Sequence, residues 1–196
     1  MQDTEDTPPV RGLDELGPEN PGKLPPVHLW HPDNCRDIDM HIDREGRWFY
    51  MGSPIGRERM VRLFSSILRH DDDDRYYLVT PVEKCGIKVE DVPFVATGLK
   101  VSGGKQSQVV QFTTNVDDTV TVGQSTPLRF ARSNEAGGYI PYVTVRDRLE
   151  ARINRAVFYD LVDLGRVQSV DDTDWFGIWA GGQFWQVAPA AEIGVV

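Results

Sequence analysis

The sequence predicts an α+β protein made of two repeated, β-rich halves, each with a β-hairpin, one helix and further antiparallel strands. Short runs rich in valine, isoleucine and aromatic residues recur along the chain, separated by turns that contain glycine. Two longer runs instead place apolar side chains three and four residues apart, which is typical of an amphipathic helix. In both halves a glycine turn leads into an aromatic strand and then a helix, so the order of elements indicates a duplication.

The first half begins with a predicted β-hairpin, in which residues 38–42 alternate in polarity, 44–46 form a turn, and 47–52 form an aromatic strand. A helix is predicted to follow from about Pro54 to Arg69, because the apolar side chains of this run fall on one face. A serine followed by a proline is common at the start of a helix. Two further strands are predicted, at 76–82 and 86–96.

The second half is predicted to contain two hairpins, over 99–116 and 176–188, each of which turns at a pair of glycines. Between these hairpins the sequence predicts a turn at 134–138 and an aromatic strand at 139–145. A second amphipathic helix is predicted over about Arg146–Leu164.

The predicted domain organisation has three parts. Residues 1–27 are expected to form a flexible arm, since six prolines stand there among acidic and small residues, and too few apolar side chains remain to offset the entropy of ordering. The apolar pattern begins at Val27. We therefore expect an N-terminal α+β domain over residues 28–96 and a C-terminal α+β domain over residues 97–196.

The charge of the chain favours a small ligand over long nucleic acid. The 196 residues carry a net charge of −9 and have a pI near 4.9, whereas proteins that bind DNA or RNA generally need a basic face to neutralise phosphates. Sixteen of the 21 basic residues are arginine, which binds phosphate and carboxylate groups through two parallel hydrogen bonds. A local basic pocket for a small anion is therefore compatible with the composition.

The sequence lacks features of secreted and membrane proteins. Its two cysteines, Cys35 and Cys85, do not make a disulfide framework and indicate reduced thiols. No apolar run approaches the ~20 residues that a membrane-spanning helix needs, and the first residues do not resemble a signal peptide. We expect a cytoplasmic protein that does not bind membranes.

The stretch GSPIGR is a candidate anion site, because the N–H groups at a helix start are unpaired and carry a partial positive charge. On a helical wheel, Arg57 and Arg146 each fall on the core-facing side of the first turn of a predicted helix. A cation in that position is unfavourable unless an anion binds beside it. The candidate ligand-binding residues are therefore Arg57 and Arg146, together with the backbone of Ser53 and Gly56.

Glu83 and Lys84 are further candidates for ligand binding, since they follow a buried strand, where ligand-facing residues often lie. Such a neighbouring pair is more often a solvated turn or a structural salt bridge. The same structural alternative applies to the two arginines, which would then pair internally, with Glu83 or Asp147 for example, or extend out to solvent.

No complete catalytic or metal-binding motif is present. His28, His31, Cys35 and His41 are residue types that bind zinc, but the first two flank a tryptophan and a proline turn and the last lies in a strand, which disfavours a metal site. The Walker A, H-E-x-x-H and G-x-S-x-G motifs do not occur. We therefore predict no catalytic residue, no metal and no cofactor.

Four stretches carry a family resemblance: VHLWHPDNCRDIDMHI, REGRWFYMGSPIGRERMVRLFSSILR, YYLVTPVEKCGIKVEDVPFVA and PYVTVRDRLEARINRAVFYDLV. From about Val27 to Val187 the chain resembles the bacterial domain-of-unknown-function 1285 family. The resemblance implies a duplicated α+β architecture whose C-terminal half is superficially similar to pleckstrin-homology domains. It also implies a site at the interface of the two halves suited to a nucleotide-like ligand, and a role in signal transduction.

Three functions follow as hypotheses. The first is a non-catalytic protein that binds a nucleotide-like anion between its two repeated domains. The second is a hydrolase or transferase that acts on a small phosphorylated substrate, with Glu83 or an aspartate of the 37–43 strand as general base. The third is a protein-interaction module that uses Trp175, Trp179 and Trp185 in the C-terminal half. The sequence leaves the oligomeric state and any protein partner open.

Overall fold

The structure is a computed structural model that describes residues 9–16, 24–133 and 138–194. The chain divides into two compact units, Met1–Asp91 and Val92–Val196, and each unit has its own six-stranded sheet. The predicted boundary between residues 96 and 97 falls inside the strand Phe94–Ser102, which belongs to the second unit.

Among its described residues, the first unit contains one α-helix and six strands. The strands are β1 (Cys35–Ile42), β2 (Trp48–Tyr50), β3 (Ser53–Pro54), β4 (Leu68–His70), β5 (Tyr76–Val79) and β6 (Lys84–Val89). Helix α1 (Glu58–Ser66) connects β3 to β4, and single 3-10 turns cover Asp14–Leu16 and Val27–Leu29. The sheet order is β3-β2-β1-β6-β5-β4, in which the central pair, β1 and β6, is parallel and every other pair is antiparallel.

One face of this sheet and one face of α1 form the core of the first unit. Along β1, Met40 and Ile42 are buried two residues apart, as expected for side chains on one face of a strand. Helix α1 contributes Phe64, whose ring stacks on that of Trp48 with a centroid distance of 6.2 Å. Complete burial of each such side chain stabilises the fold by about 1.5–3 kcal/mol.

The second unit contains nine strands in two sheets and two α-helices among its described residues. The elements are β7 (Phe94–Ser102), β8 (Val109–Thr114), β9 (Thr119–Thr121), β10 (Leu128–Arg132), β11 (Tyr139–Arg146), β12 (Leu149–Ile153), α2 (Arg155–Val162), β13 (Arg166–Val170), β14 (Thr173–Ala180), β15 (Gln183–Pro189) and α3 (Ala190–Ile193). The larger sheet has the order β10-β11-β12-β7-β8-β9, and the smaller sheet is the antiparallel meander β13-β14-β15.

The two six-stranded sheets have the same strand order and the same strand directions. The strands of each sheet can be counted from its own first strand, reading the first sheet from β3 and the second from β9. Each sheet then runs third, second, first, sixth, fifth, fourth, and the first and sixth strands form its parallel pair. The predicted pair of repeated, β-rich halves is therefore confirmed. The predicted correspondence between the halves is wrong, because α1 follows the third strand of its sheet whereas α2 follows the sixth.

The first predicted helix has the wrong bounds. Ser53 and Pro54 form β3, which pairs with β2, so the helix begins at Glu58 and not at Pro54. The turn before β3 is a two-residue hairpin turn, in which Met51 and Gly52 have φ values of 48° and 75°. The helix ends at Ser66, because the next residues leave it to pair with β5 as strand β4.

The second predicted helix combines a strand with a shorter helix. Residues 149–153 form β12, in which every second side chain, Leu149, Ala151 and Ile153, is buried. Leu149 and Ile153 also lie four residues apart, so the same residues fit a helical spacing in the sequence. Asp147, at φ 46°, lies in the turn between β11 and β12. Helix α2 starts at Arg155, and the side chain of Asn154 caps it by accepting the N–H of Val157 at 2.8 Å.

Part of the predicted flexible arm is packed against the first unit. Val10 is fully buried, and the backbone of Pro9 and Arg11 makes hydrogen bonds to side chains of that unit. A flexible arm is therefore the wrong description of residues 9–12. Residues 1–8 and 17–23 of the predicted arm lie outside the described residues.

The predicted hairpins are confirmed where a pair of glycines or a short polar turn marks them. Strands β1 and β2, β7 and β8, and β14 and β15 pair as antiparallel hairpins. The single strand predicted over 86–96 is instead the end of β6 and the start of β7, in two different sheets. The turn predicted at 134–138 lies outside the described residues except for Gly138. Within the described ranges, no helix has the length and apolar character needed to cross a membrane.

Candidate functional site

An open depression lies at the start of α1 and contains one of the predicted ligand-binding residues. It has a volume of about 760 Å³ and is lined by Arg57, Glu58, Arg59, Met60 and Leu63. This volume is within the range of about 300–1,000 Å³ that is usual for small-molecule sites. We refer to this surface below as the α1 depression.

Arg57 is the N-cap residue of α1, and its conformation is extended (φ −88°, ψ 101°). Its carbonyl oxygen accepts the N–H groups of Met60 and Val61, at 2.9 and 3.1 Å, whereas its side chain caps nothing. The guanidinium group is exposed, which contradicts the helical-wheel prediction that it faces the core. The helical wheel does not apply to Arg57, because this residue is extended and the helix begins after it.

Arg57 and Arg59 provide the positive charge of the α1 depression. Both side chains are exposed, and among the described residues neither guanidinium group has an ion pair or a hydrogen-bond partner. The carboxylate of Glu58 lies 3.8 Å from the guanidinium group of Arg62, on the next turn of the helix. Met60 and Leu63 supply apolar surface between these charges. Two cations beside apolar side chains can bind an anion that also carries an apolar or aromatic part.

Ser53 and Gly56 were predicted to present backbone N–H groups at the helix start. Ser53 instead lies in β3, paired with Tyr50, and Gly56 lies in the connection between β3 and α1. Both residues are exposed, and neither lines the α1 depression. Because the helix starts at Glu58, the unpaired N–H groups belong to the residues that follow Arg57.

Arg146 lies at the end of β11, in the second unit, and not at a helix start. Its guanidinium group makes an ion pair with Asp118 at 2.7 Å and lies over the ring of Phe94, 5.1 Å from the centroid. From the sequence, Asp147 was one possible partner for this arginine, but the partner in the structure is Asp118. The structure therefore supports the structural alternative for Arg146, with a charge partner and an aromatic contact inside its own unit.

Glu83 is fully buried in the turn between β5 and β6. Its carboxylate accepts hydrogen bonds from the Arg36 guanidinium at 3.2 Å and from the backbone N–H of Arg11. Burial by itself raises the pKa of Glu83, but the hydrogen bonds from Arg36, Arg11 and Cys85 outweigh it and hold the pKa below its usual range. The carboxylate is thus ionised and engaged, which makes it a structural group and a poor general base.

Lys84 points to the other side of β6 from Glu83 and is part of a separate charge cluster. Its ammonium group lies 2.6 Å from a carboxylate oxygen of Asp71 and 3.7 Å from the centroid of the Tyr77 ring. Arg69 binds the same carboxylate and also donates to the carbonyl oxygens of Val27 and Trp30, both at 2.8 Å. These contacts fix the 3-10 turn at Val27–Leu29 to the sheet, so Lys84 and Arg69 have structural roles.

Two aspartates of the 37–43 strand, Asp37 and Asp43, are engaged in structural contacts. Asp37 makes an ion pair with Arg75 at 2.6 Å on the surface. Asp43 accepts hydrogen bonds from the backbone N–H groups of Glu45 and Arg47 and from the Arg47 side chain, which fixes the turn between β1 and β2. These carboxylates therefore serve the local structure.

The three tryptophans of the C-terminal half do not form one surface patch. Trp185 is the cross-strand partner of Ile178, so Trp185 and Trp179 lie on opposite faces of the β14–β15 hairpin. Each of the three is half-buried, and the indole N–H groups of Trp179 and Trp185 donate to Gln168 and to the carbonyl of Ala180. The geometry does not support the predicted hot spot of exposed tryptophans.

The histidines and cysteines singled out by the sequence are dispersed in the first unit. His28 and His31 line a polar cavity of about 550 Å³ beside Asp71 and Lys84, whereas the His41 ring stacks on Phe49 in the β1–β2 hairpin. Among the described residues, no three histidine, cysteine, aspartate or glutamate side chains are placed to hold a metal ion.

Two parts of the candidate sites were not predicted from the sequence, namely Arg59 and residues 9–12. Arg59 is not among the ligand-binding residues that the sequence predicts, yet it lines the α1 depression beside Arg57. Residues 9–12 were assigned to a flexible arm, yet they contact Glu83. The pattern Val10–Arg11–Gly12, after two prolines, was a weak signal in the sequence, because one valine and one glycine do not predict an ordered segment.

Comparison with known proteins gives consistent matches over most of the chain. The model of the "Domain of unknown function (DUF1285), N-terminal domain" matches residues 25–92, and that of the "Protein of unknown function (DUF1285), C-terminal domain" matches residues 93–187. A crystal structure of a DUF1285 family protein from Silicibacter pomeroyi DSS-3 is 47% identical to the chain and has a TM-score of 0.83. The match covers 94% of this chain and 99% of that one.

A second solved structure supports the fold alone. The crystal structure of a DUF1285 family protein from Shewanella baltica OS155 is 24% identical to the chain, with a TM-score of 0.52. That match covers 64% of this chain and 91% of the other. A search of the curated proteins found no match.

Proposed function

The chain belongs to the DUF1285 family, and we propose that it is a non-catalytic protein that binds a small anionic, nucleotide-like ligand in the α1 depression. The observation that carries this proposal is the pair of guanidinium groups, Arg57 and Arg59, which have no partner in the described part of the chain and lie beside the apolar side chains of Met60 and Leu63. The proposal concerns the first unit and needs no residue from the second.

The charges at the start of α1 favour an anion. The first N–H groups of the helix have no partner within the helix, and the helix dipole places a partial positive charge there. Arg57 and Arg59 add two full charges, although each is unfavourable next to that end of the dipole by about 0.3–1 kcal/mol in the absence of an anion. A bound phosphate or carboxylate removes this repulsion and accepts charge-assisted hydrogen bonds.

The apolar part of the depression favours a ligand that is more than a simple anion. Met60 and Leu63 are half-buried and line the depression together with the aliphatic parts of the arginines. A thioether and a branched alkyl group pack well against a flat aromatic ring. A nucleobase or another aromatic group linked to a phosphate would use both the apolar surface and the guanidinium groups.

The biological role that we propose is ligand sensing in signal transduction, in the cytoplasm. The role in signalling rests on the family resemblance, and the non-catalytic character rests on the engagement of Glu83, Asp37 and Asp43 in structural contacts. The cytoplasmic location is supported by the two free cysteines, Cys35 and Cys85, which lie on neighbouring strands without forming a disulfide.

Thermal-shift measurements with mononucleotides, dinucleotides, cyclic nucleotides and inorganic phosphate test the proposal. A ligand at a hundred times its dissociation constant stabilises the folded state by about 2.7 kcal/mol, which raises the melting temperature of a chain of this size by about 5–10 °C. We expect at least one nucleotide to give a shift of this order with the unmodified chain. In Arg57→Ala and Arg59→Ala the shift should fall to a small fraction of that value.

Arg44→Ala is the matched control. Arg44 is exposed in the turn between β1 and β2 of the same unit, and it does not line the α1 depression. Its replacement by alanine changes the net charge by the same amount as Arg57→Ala does. Its thermal shift should equal that of the unmodified chain. Absence of any shift across the panel, or equal losses in Arg44→Ala and Arg57→Ala, would contradict the proposal.

A further inference from the structure

A second binding feature of the first unit lies away from the α1 depression, where residues 9–12 contact the turn between β5 and β6. The receiving side chains are Arg36, Thr80, Val82 and Glu83, which we call the Glu83 site. Residues 9–12, with the sequence Pro-Val-Arg-Gly, are called the N-segment.

The polar contacts of the N-segment are made by its backbone. The N–H of Arg11 donates to the Glu83 carboxylate, and the carbonyl oxygen of Arg11 accepts the Thr80 hydroxyl at 2.9 Å. The carbonyl oxygen of Pro9 accepts the Arg36 guanidinium at 2.9 Å. The side chain of Arg11 is exposed. Side chains of a folded domain thus hold a bent stretch of backbone at three points. Hydrogen bonds to the main chain are a common means of recognising peptides.

Two positions of the N-segment have side-chain requirements. Val10 is fully buried, so this position needs an apolar side chain of similar size. Gly12 has a φ of 74°, and a Cβ atom placed there would lie 2.5 Å from Cγ2 of Val82 and 3.2 Å from the Thr80 hydroxyl oxygen. Only glycine meets both the backbone and the space requirement at this position. Over three consecutive positions of a peptide, the Glu83 site therefore requires an apolar residue at the first and glycine at the third, and it accepts any residue at the second.

The N-segment lies outside the part of the chain that the family model of the N-terminal domain matches. The family model of the N-terminal domain begins at residue 25, so it includes Arg36, Thr80, Val82 and Glu83 but excludes the N-segment. The N-segment is also separated from the first strand, which starts at Cys35, by more than twenty residues of chain. The domain thus supplies the receptor side chains, and a separate stretch of chain occupies them.

From these observations we infer that the Glu83 site is a peptide-binding site, and that its resident ligand is the chain's own N-segment. The ligand class is a short peptide that carries an apolar residue and, two positions later, a glycine. The N-segment acts as a built-in competitor, because tethering gives it an effective concentration in the millimolar range for a short connection. This site is distinct from the α1 depression and does not depend on the function proposed for it.

A fluorescein-labelled peptide, TPPVRGLDEL (residues 7–16), titrated into the full-length chain tests the inference by fluorescence anisotropy. The unmodified chain should bind the peptide weakly, because its own N-segment occupies the site. In full-length Gly12→Val the N-segment no longer fits, so the site is vacated. This variant should bind the peptide at least tenfold more tightly than the unmodified chain does.

Three matched variants make the result specific. In the Gly12→Val chain, an added Glu83→Ala should abolish peptide binding, whereas an added Glu90→Ala should not change it, since Glu90 is exposed and outside the site. A labelled peptide that itself carries Gly12→Val should not bind any of the chains. Circular dichroism confirms that each variant is folded.

Two outcomes would overturn the inference. One is that Gly12→Val binds the peptide no more tightly than the unmodified chain does. The other is that Gly12→Val unfolds, because the N-segment would then be an integral part of the domain and not an exchangeable ligand.

Discussion

Glu83 shows at the scale of one residue how burial separates a structural carboxylate from a catalytic one. The sequence placed it at the end of a buried strand, which is a common place for functional groups. In the structure its carboxylate is fully buried and holds Arg36 and the backbone of Arg11. An unpaired buried charge would be costly, so these partners are needed to keep the carboxylate ionised.

The lowered pKa of Glu83 predicts a pH dependence of stability. The contacts of the folded state favour the ionised carboxylate of Glu83. The stabilisation that they give is therefore complete above the ordinary glutamate pKa of about 4.3, and it is lost as the pH falls through the lower pKa of the folded state. At pH 7, Glu83→Gln should reduce the free energy of unfolding by about 1.5–3 kcal/mol, the usual value for hydrogen bonds to a charged group. Urea unfolding at pH 7, 5, 4 and 3 should show this deficit shrinking only below about pH 4.3.

The control for this prediction is Glu90→Gln, which removes an exposed carboxylate from the same unit. Its free energy of unfolding should differ little from that of the unmodified chain at every pH. A deficit in Glu83→Gln that is constant between pH 7 and pH 3 would show that the charge of Glu83 does not contribute.

At the scale of the element, the two helices differ in how their first turns are capped. Asn154 caps α2 through its side chain, whereas Arg57 occupies the equivalent position of α1 and caps nothing. Asparagine is among the best N-cap residues, and arginine cannot accept a hydrogen bond through its side chain. The start of α1 therefore has lower stability than a serine or aspartate would give it.

Arg57→Ser is expected to change stability and ligand binding in opposite directions. A serine at this extended N-cap position accepts an N–H group of the first turn, so the free energy of unfolding should rise by about 0.5–1 kcal/mol. The same change removes one of the two guanidinium groups of the α1 depression, so the thermal shift with a nucleotide should fall. Urea unfolding and thermal-shift titration of the same preparation measure the two effects.

Arg59→Ser is the comparison for this prediction. Arg59 is the second residue of the helix, where a serine cannot act as the N-cap, so this variant should lose the ligand without gaining stability. If both serine variants raised the free energy of unfolding equally, removal of positive charge would explain the gain, and the cap argument would be wrong.

At the scale of the whole molecule, the same strand order appears twice with the helix in a different place. In both sheets two three-stranded meanders meet at a parallel pair, β1 with β6 and β7 with β12. Helix α1 connects the two meanders of the first sheet, whereas α2 follows the second meander of the other sheet. The start of α1, where the α1 depression lies, therefore falls between the two meanders of the first sheet.

The net charge of −9 predicts that the whole molecule does not bind long nucleic acid. Nonspecific binding to DNA comes from neutralised phosphates, and typical basic proteins reach dissociation constants of about 10⁻⁴ to 10⁻⁶ M at physiological salt. A labelled duplex of about 30 base pairs should show no anisotropy change with the chain at 0.1 mM or below, roughly the weak end of that range. Binding that weakens steeply with added salt would contradict the prediction and indicate a basic surface larger than Arg57 and Arg59.

The sequence by itself determined the β-rich class, the duplication and the hairpins. Each of these depends on neighbouring residues, such as the alternation along β1 or the glycine pair between β14 and β15. The family resemblance was also contained in the sequence, and the comparisons confirmed it.

The tertiary structure decided which residues the candidate sites contain. The start of α1 depends on the pairing of β3 with β2, and the alternation of β12 becomes clear only through its pairing with β11 and β7. The contact between Arg11 and Glu83 joins residues 72 positions apart. Local propensity carries no information on such contacts, because the gain from burial and hydrogen bonding exists only once distant strands have come together.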